Sequence, residues 1–378
     1  MTLRTWERFF DLQLVSEDGE DDTLNAPISY RYLGSIRQPS TRLLNMTQRP
    51  RPMVNWEHVS SWLRGCDLHR ECSSQRQLCT QPTGLRVIDV ERGCIVDAPP
   101  DCFYAALSYV WGVRTGSEQF EATAANLSEL EQEGYLLKQG LPATLYDAIV
   151  ACRKLHIPYL WIDRLCILQG KESSHEAEIQ INALGDIYRR SVVTLVAMAG
   201  EDACYGLPGV SSKQRDTAIS VCTQGIFMIQ MHPDYALNLR NSKWSTRSWT
   251  FQEAVLSSRL ILFSDSNVFF ECLHGEGARL GGYEPISVFL TLPVCHRGWC
   301  ISFQFLFPHA FLPHTRDGLY DKKAILRAFV GILNSKYGSD HYFGLPFCEL
   351  DRAMLWWPRN GKYPPRIPRE GEVLPSWS

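Results

Sequence analysis

The sequence predicts an α/β protein built on a doubly wound, mostly parallel β-sheet. Between residues 102 and 272, short apolar runs rich in β-forming residues alternate with segments of helical periodicity. Runs that are apolar throughout are typical of strands buried on both faces, as in parallel sheets. A strand, a helix and a second strand in succession indicate a crossover unit, which joins parallel strands. The chain has 378 residues, of which 45% are apolar and 21% charged, so it can bury a full core.

The N-terminal segment, residues 1–55, is predicted to be weakly ordered. It contains an acidic run, EDGEDD at 17–22, and an arginine and proline stretch at 49–52, with few regularly spaced apolar positions. We expect ordered structure to begin near Trp56. The sequence GLRVIDVERGCIV at 84–96 alternates apolar and polar residues and predicts a two-stranded hairpin that turns at 91–93.

The first crossover unit follows this hairpin. The apolar run CFYAALSYVWGV at 102–113 predicts a buried strand. The stretch LPATLYDAIVACRKLHIP predicts a helix, since Pro142 suits its first turn and apolar residues recur at helical spacing. The run PYLWIDRLCI at 158–167 then predicts a second strand, with Asp163 near its C-terminal part.

The second half of the sheet is predicted in the same way. A helix is expected over 174–190 and a strand over 191–199, followed by an insertion at 200–243 that contains a hairpin at 217–231. A further helix over 247–258 and a strand over 259–272 complete the order. Open α/β sheets collect ligand groups at the carboxyl ends of their strands. We therefore expect the loops after Trp111, after Asp163 and before Glu253 to meet.

Composition argues against nucleic-acid and membrane partners. The formal net charge is -3, and no basic run is interleaved with aromatic residues. The first ten residues lack the apolar stretch of a secretion signal, and the apolar region at 286–312 is interrupted too often to span a bilayer. Thirteen cysteines without such a signal indicate reduced thiols, and we expect a cytoplasmic protein.

One cluster of cysteine and histidine has the residue types of a zinc site. Cys66, His69, Cys72 and Cys79 are spaced C-x2-H-x2-C-x6-C. The segment before them looks helical, so a compact tetrahedron requires the helix to end near Gly65. The alternative is a helix end whose thiols pack inward without a metal.

A candidate catalytic carboxylate lies in the stretch WSTRSWTFQEAVLSSRLILF at 244–263. Trp249 and Glu253 stand four apart and share one face of the predicted helix. The alternative is a solvated helix glutamate or the partner of Arg247. The sequence has neither a G-x-G-x-x-G run nor a Walker sequence, which argues against an ordinary dehydrogenase or a P-loop ATPase.

Three stretches of the chain resemble the blocks of the HET domain, the heterokaryon incompatibility domain of filamentous fungi, in the same order. They are YAALSYVWG at 104–112, LPATLYDAIVACRKLHIPYLWIDRLCILQ at 141–169 and KWSTRSWTFQEAVLSSRLILF at 243–263. The resemblance places the core blocks at 103–272 and the domain at 56–275.

The resemblance also extends beyond the domain. Residues 276–378 are similar to the helical region that often follows it. The family's closing motif usually reads PSWSW and continues, whereas the sequence stops at Ser378, so we expect a truncated helical C-terminal region.

The resemblance implies fungal self/non-self recognition and cell-death signalling, and a flavodoxin-like sheet similar to the Toll/interleukin receptor (TIR) domain. Many TIR domains carry a W-x-x-x-E motif whose glutamate cleaves NAD. Trp249 and Glu253 match its spacing, with Ser248 directly before the tryptophan. The resemblance thus implies Glu253 as the catalytic residue, NAD as the substrate and no required cofactor. The substrate-contacting residues would be Ser108, Trp111, Gly112, Asp163, Arg247, Ser248 and Trp249.

Two other interpretations remain open. In the first, the domain is a non-enzymatic module that assembles with like HET or TIR-like domains as a homo-oligomer, or with an upstream incompatibility sensor. In the second, it is a degenerate, inactive paralogue. Several residues also have structural alternatives: Asp163 as a loop cap, Trp111 as core, Arg247 as the partner of Glu253 or as an anion contact. Cys166 is expected to be a buried thiol because no histidine is placed near it by sequence.

Overall fold

The computed structural model describes most of the predicted α/β region and short pieces outside it. The described residues are 8–11, 29–32, 52–70, 72, 80–112, 120–170, 174–216, 220–223, 226–230, 238–239, 241–273, 331–334, 337–338, 340–342 and 345–349. Cys79 and most of the expected helical region at 276–378 therefore lie outside the described residues.

Two antiparallel strands from the N-terminal segment come first, β1 (Arg8–Asp11) and β2 (Ser29–Tyr32). Within the described residues, the main sheet then has seven strands. They are β3 (Arg86–Asp89), β4 (Cys94–Asp97), β5 (Tyr104–Ser108), β6 (Tyr159–Trp161), β7 (Thr194–Ala197), β10 (Arg259–Phe263) and β11 (Val268–Cys272). Two further strands, β8 (Ser220–Thr223) and β9 (Ile226–Gln230), lie between β7 and β10 in the chain and do not belong to this sheet.

The main sheet runs in the spatial order β11-β10-β7-β5-β6-β3-β4. Its four inner strands, β6, β5, β7 and β10, are parallel to one another. An antiparallel partner lies at each side, β11 on β10 and β3 on β6. The prediction of an α/β protein is confirmed, and the parallel pairing is limited to the middle of the sheet.

The four parallel strands do not lie in the sheet in the order in which they occur in the chain. Numbered along the chain, the four parallel strands lie in the order 2-1-3-4. The connection from β5 leads to one side of the sheet and the connection from β7 leads to the other. The switch between the two directions therefore falls between β5 and β7, where α/β sheets open a crevice at their carboxyl ends.

The helices of the described residues are mostly short. They are α1 (Trp56–Cys66), α2 (Leu127–Leu130), α3 (Tyr135–Lys138), α4 (Ala143–Lys154), α5 (Asp163–Cys166), α6 (Ser174–Asn182), α7 (Leu184–Arg190) and α8 (Ser248–Leu256). The α4 helix begins after Pro142 and buries Leu145, Ala148, Ile149 and Cys152, which is the apolar face that the sequence predicts. None of the described helices is long and apolar enough to cross a membrane.

The prediction of one strand over 158–167 was wrong beyond Trp161. The strand ends there, and Asp163 begins the short helix α5. Leu165 and Cys166 are as buried in this helix as they would be in a strand. An apolar run of this length does not distinguish the two conformations.

Two further predictions were wrong in their boundaries. The predicted strand over 259–272 is a hairpin of β10 and β11, because Ser264 and Asn267 form a turn in which the backbone N–H of Ser264 donates to the carbonyl of Asn267 at 2.9 Å. The predicted helix over 174–190 is divided at Ala183 into α6 and α7.

The N-terminal segment contains two strands that the sequence analysis did not predict. Strands β1 and β2 join the predicted hairpin of β8 and β9 in a four-stranded antiparallel sheet of order β1-β2-β9-β8. The partner of β2 lies about 200 residues away in the chain, from Tyr30 to Gln230. Local residue patterns carry no information on such a pairing.

A buried carboxylate fastens the segment after β7 to helix α4. Asp147 is 2% exposed, and its Oδ2 accepts the backbone N–H of Leu207 at 2.7 Å while its Oδ1 accepts the hydroxyl of Ser211. Nearby, Thr144 accepts the backbone N–H of Gly206 at 3.1 Å. Polar side chains on α4 thus fix a loop that lacks regular structure.

Replacing Asp147 by alanine is therefore expected to destabilise the fold. The change leaves the Leu207 N–H and the Ser211 hydroxyl without their acceptor, which costs about 2–4 kcal/mol for buried groups. Urea unfolding at pH 7 measures the difference. Asp97→Ala is the matched control, since that exposed carboxylate at the end of β4 has no side-chain hydrogen bond or ion pair among the described residues and should change stability by less than about 0.5 kcal/mol. Equal losses in the two variants would contradict the assignment.

Candidate functional site

The carboxylate of Glu253 lies at the switch point of the main sheet. Ser108 is the last residue of β5 and pairs in register with Val196 of β7. The Ser108 hydroxyl donates to Oε2 of Glu253. Glu253 is only 9% exposed. Helix α8 therefore delivers its carboxylate to the crevice between β5 and β7, and not to open solvent.

The tryptophan that joins this network is Trp244. Its indole Nε1 donates to the Ser108 hydroxyl at 2.7 Å, which leaves the serine proton free to reach Glu253. A short 3-10 turn, Trp244–Thr246, precedes α8 and positions the ring, and Thr250 of α8 donates to the Trp244 carbonyl at 2.6 Å. The predicted partner, Trp249, is half-buried on α8. Trp244 was not predicted as a site residue because it lies before the helix and reaches Ser108 across 136 positions of the chain.

Burial changes the acidity of Glu253. Removal of the carboxyl from water raises its pKa to about 7, although the hydrogen bond from Ser108 and the charge of Arg247 both oppose the rise. The negative charge of Asp163 acts in the same direction as burial. Near neutral pH the group is therefore divided between its acid and its carboxylate form, which suits a proton acceptor.

Three loops meet beside Glu253, as the chain order predicts. The Arg247 guanidinium, just before α8, donates to the carbonyl of Tyr109 at 2.6 Å. The indole of Trp111, after β5, donates to Oδ2 of Asp163 at 2.8 Å. Arg164 lies 4.6 Å from the centre of the Trp111 ring. The structure brings predicted site residues together and adds Tyr109 and Arg164 to them.

Asp163 takes part in local capping as well. Its Oδ1 accepts the backbone N–H of Arg164 at 2.7 Å at the start of α5. Burial raises the pKa of this carboxyl, and the hydrogen bond from Trp111 partly offsets the rise. Its structural role as a loop cap is thus present alongside its position in the crevice.

Gly112 occupies a position that only glycine fits. Its φ is +86°, and a Cβ added there would lie 2.6 Å from the Cβ of Asp202. The chain at Gly112 passes so close to Asp202 that any side chain at position 112 would clash with it. Ser248, the remaining predicted contact, is the first residue of α8.

The hydroxyl of Tyr109 is an unsatisfied polar group in the crevice. The residue is 2% exposed, and its OH has no hydrogen-bond partner among the described residues. Burial raises the pKa of this phenol well above 10. Most buried polar groups in proteins are hydrogen-bonded, so a lone one needs an explanation such as a water molecule or a ligand. The run YAALSYVWG contained this residue, but its apolar character marked it as core.

Three of the four predicted metal ligands lie together in the structure. Cys66, His69 and Cys72 lie together, and the fourth member of their group is Cys272 at the end of β11. The predicted fourth ligand, Cys79, lies outside the described residues. Cys166 is a buried thiol whose pKa is raised to about 12, so it is not primed as a nucleophile.

A surface cavity of about 740 Å³ lies elsewhere in the molecule. Its wall includes Arg64, Asp101, Arg190 and Arg259, and it contains neither Ser108 nor Glu253. This cavity is therefore separate from the Glu253 carboxyl group, whose residue is 9% exposed.

The fold and this site define a class: an α/β domain with a buried acid at the carboxyl end of its first parallel strand. The comparison with protein families narrows this class. The family model described as Heterokaryon incompatibility protein (HET) matches residues 104–253, so this segment is similar to the HET domain. The match begins at the first residue of β5 and ends at Glu253. A search of curated proteins and a search of solved structures each returned no match.

The raised pKa of Glu253 predicts a specific pH dependence of stability. An unfolded glutamate ionises near 4.5, whereas the folded one keeps its proton to about 7. In this window unfolding releases a proton, so stability falls as pH rises from about 4.5 to 7. Glu253→Gln retains an acceptor for Ser108 but cannot ionise. The unfolding free energy of wild type minus that of the variant should therefore fall by roughly 2–3 kcal/mol between pH 5 and pH 8.

Urea unfolding at both pH values measures this difference. Using the difference removes the contributions of Asp147 and Asp163, which titrate in both proteins. Glu133→Gln is the control, since that exposed glutamate pairs only with Arg92 on the surface. A difference that is the same at pH 5 and pH 8 would show that Glu253 is not held in its neutral form.

Proposed function

We propose that this protein acts in fungal self/non-self recognition and cell-death signalling, and that its HET domain works as a TIR-like hydrolase that cleaves NAD in the cytoplasm. One observation carries the proposal: the carboxylate of Glu253 lies at the switch point of the parallel sheet, bonded to the terminal residue of β5. Ligands of open α/β sheets bind at this place. The heterokaryon incompatibility family supplies the biological setting.

The strand order supports the TIR-like assignment. The order 2-1-3-4 of the parallel strands agrees with the flavodoxin-like arrangement, in which a nucleotide binds between the first and third strands. These are β5 and β7 here. Trp249 and Glu253 retain the W-x-x-x-E spacing on α8.

The chemistry needs a carboxylate at this position. Cleavage breaks the bond between the ribose C1′ and the nicotinamide nitrogen, and its electron pair leaves with nicotinamide. Positive charge then develops on the ribose, which a nearby carboxylate stabilises. Water adds to C1′ and gives its proton to Glu253 and then to solvent, so the products are nicotinamide, ADP-ribose and one proton. A carboxyl with a pKa of about 7 can hold that proton.

The surrounding groups suit a dinucleotide that carries both charge and hydroxyls. Arg247 places a cation beside the crevice, and Asp163 places a carboxylate there. The unpartnered hydroxyl of Tyr109 is available to a ligand group. The chemistry requires no metal ion and no second cofactor.

A non-enzymatic assembly module is the second candidate, and the burial of Glu253 favours it. Its carboxylate accepts from Ser108, and its backbone carbonyl accepts from Ser257 at 2.6 Å. Ser257 in turn bonds Thr194 of β7 at 2.6 Å. In this interpretation the residue holds α8 on the sheet, and signalling follows from contact with like domains or an upstream sensor.

Release of nicotinamide by the purified full chain separates the two candidates. The wild-type protein, assayed at high concentration to permit self-assembly, should release nicotinamide and ADP-ribose from NAD, measured by mass spectrometry. Glu253→Gln should lower the rate by about 100-fold or more, because it keeps the hydrogen bond and removes the charge. The rate of the wild type should rise with pH through about 7 as the carboxyl ionises.

Glu133→Gln serves as the matched control, since it removes an exposed carboxylate remote from the crevice and should retain the wild-type rate. Each variant is also expressed in a fungal host to score cell death. If neither wild type nor Glu253→Gln cleaves NAD while both kill cells, the enzyme is excluded and the assembly module stands. If wild type neither cleaves NAD nor kills cells, the protein is an inactive paralogue.

A further inference from the structure

Four metal-binding side chains converge at one edge of the main sheet, remote from Glu253. Ligand atoms of Cys66, His69, Cys72 and Cys272 all lie within 4.8 Å of one another. The Nδ1 of His69 is 3.6 Å from the Sγ of Cys272. In a tetrahedral zinc site, ligands about 2.0–2.3 Å from the metal lie roughly 3.5–3.8 Å from each other. The cluster is therefore close to the dimensions of such a site before any metal is added.

We propose that Cys66, His69, Cys72 and Cys272 form a structural zinc site. The first three come from the C-x2-H-x2-C spacing, and the fourth comes from the far end of the domain. Three thiolates and one imidazole are a common ligand set of structural zinc, and soft sulfur ligands exclude magnesium and calcium. No ligand position is left for water, so the role is structural.

The local fold places the first ligands as a tetrahedron requires. Helix α1 ends at Cys66, and Asp67 caps it with its N–H bonded to the carbonyl of Leu63 at 3.0 Å. The chain then turns, with the N–H of His69 donating to the carbonyl of Cys66 at 3.0 Å. A continuous helix would rotate these side chains to different faces, whereas this ending gathers them.

The fourth ligand is held in place by the packing of α1 on strand β11. Trp62 of α1 stacks on Phe270 of β11 with their ring centres 5.9 Å apart. Cys272 is the last residue of the same strand, two positions further on. Alternate residues of a strand share a face, so the stacking that docks α1 also directs Cys272 toward it.

A buried arginine completes the charge balance of the cluster. Arg259 is the cross-strand partner of Cys272 and is 6% exposed. Its Nε donates to the Sγ of Cys66 at 3.2 Å, and its Nη2 pairs with Asp67 at 2.8 Å. Three thiolates around Zn²⁺ carry a net charge of about -1, which a neighbouring cation offsets. Arg259 is thus placed as an outer-shell donor to a thiolate ligand.

The metal would join parts of the chain that the HET family match does not include. All four ligands lie outside residues 104–253. The cavity of about 740 Å³ borders the cluster at Asp67, Cys72 and Arg259, and it provides a path by which a metal can enter. The site would fix α1 to the outer strand of the sheet and extend the stable unit to residues 56–273.

Metal analysis of the full chain tests the proposal. Protein purified under reducing conditions without chelator should contain about one zinc per chain. X-ray absorption at the zinc edge should show three sulfurs at about 2.3 Å and one nitrogen at about 2.0–2.1 Å. Removal of the metal by a chelator should lower the melting temperature by about 5 °C or more. A folded wild-type protein without zinc, or a shell rich in oxygen, would overturn the assignment.

Variants identify the fourth ligand. Cys272→Ser should lose the metal, whereas Cys79→Ser and the exposed Cys204→Ser should retain it. Cys272→His keeps a metal ligand at that position, so it distinguishes the loss of a ligand from the loss of the fold. X-ray absorption of this variant should show two sulfurs and two nitrogens around the zinc. Loss of zinc in Cys79→Ser with retention in Cys272→Ser would overturn the proposed set. Three sulfurs remaining in Cys272→His would do the same.

Discussion

The hydrogen-bonded chain from Trp244 through Ser108 to Glu253 is the interaction on which the centre of this structure depends. It joins the 3-10 turn, the end of β5 and the helix α8, and Glu253 follows Ser108 by 145 positions in the chain. A carboxyl that is 9% exposed is costly to bury, and its donor limits the cost without cancelling it, as its raised pKa shows. The free-energy cost of burying this acid thus falls at the sheet position where α/β proteins bind ligands. Purely structural needs would be met by an uncharged residue of the same shape.

The inner strands of the main sheet line the crevice, whereas the outer strands form its two edges. The parallel strands β5 and β7 are buried throughout and carry the crevice at their carboxyl ends. The antiparallel strands at the two sides cover the edges, β3 and β4 on one and β11 on the other. The cysteine and histidine cluster lies on the second of these sides and fastens α1 to it. The proposed ligand site at the centre of the sheet and the proposed zinc site at its edge thus use separate residues.

Local patterns were sufficient for most of the parallel sheet and insufficient for contacts between distant segments. The apolar runs around Tyr104 and Thr194 and the helical face of α4 were predicted because burial on both sides leaves a continuous apolar signal. The end of β6 at Trp161 was not, because a short buried helix has the same composition as a strand. The contacts of Trp244 with Ser108 and of Cys272 with His69 were not predicted, because they join residues that are 136 and 203 positions apart. Spacing within one segment cannot supply these.

The long separation between Ser108 and Glu253 also sets the order of events during synthesis. Chains grow at about 5–20 residues per second, so Glu253, which is 145 positions after Ser108, is added to the chain roughly 7–30 seconds after it. Once β7 has been made, it has no partner on its outer side until β10 is made, because β10 follows Glu253 in the chain. During this time the edge of β7 is open to pairing with strands of other chains. The hydrogen bond between Ser108 and Glu253 can form only after Glu253 has been made.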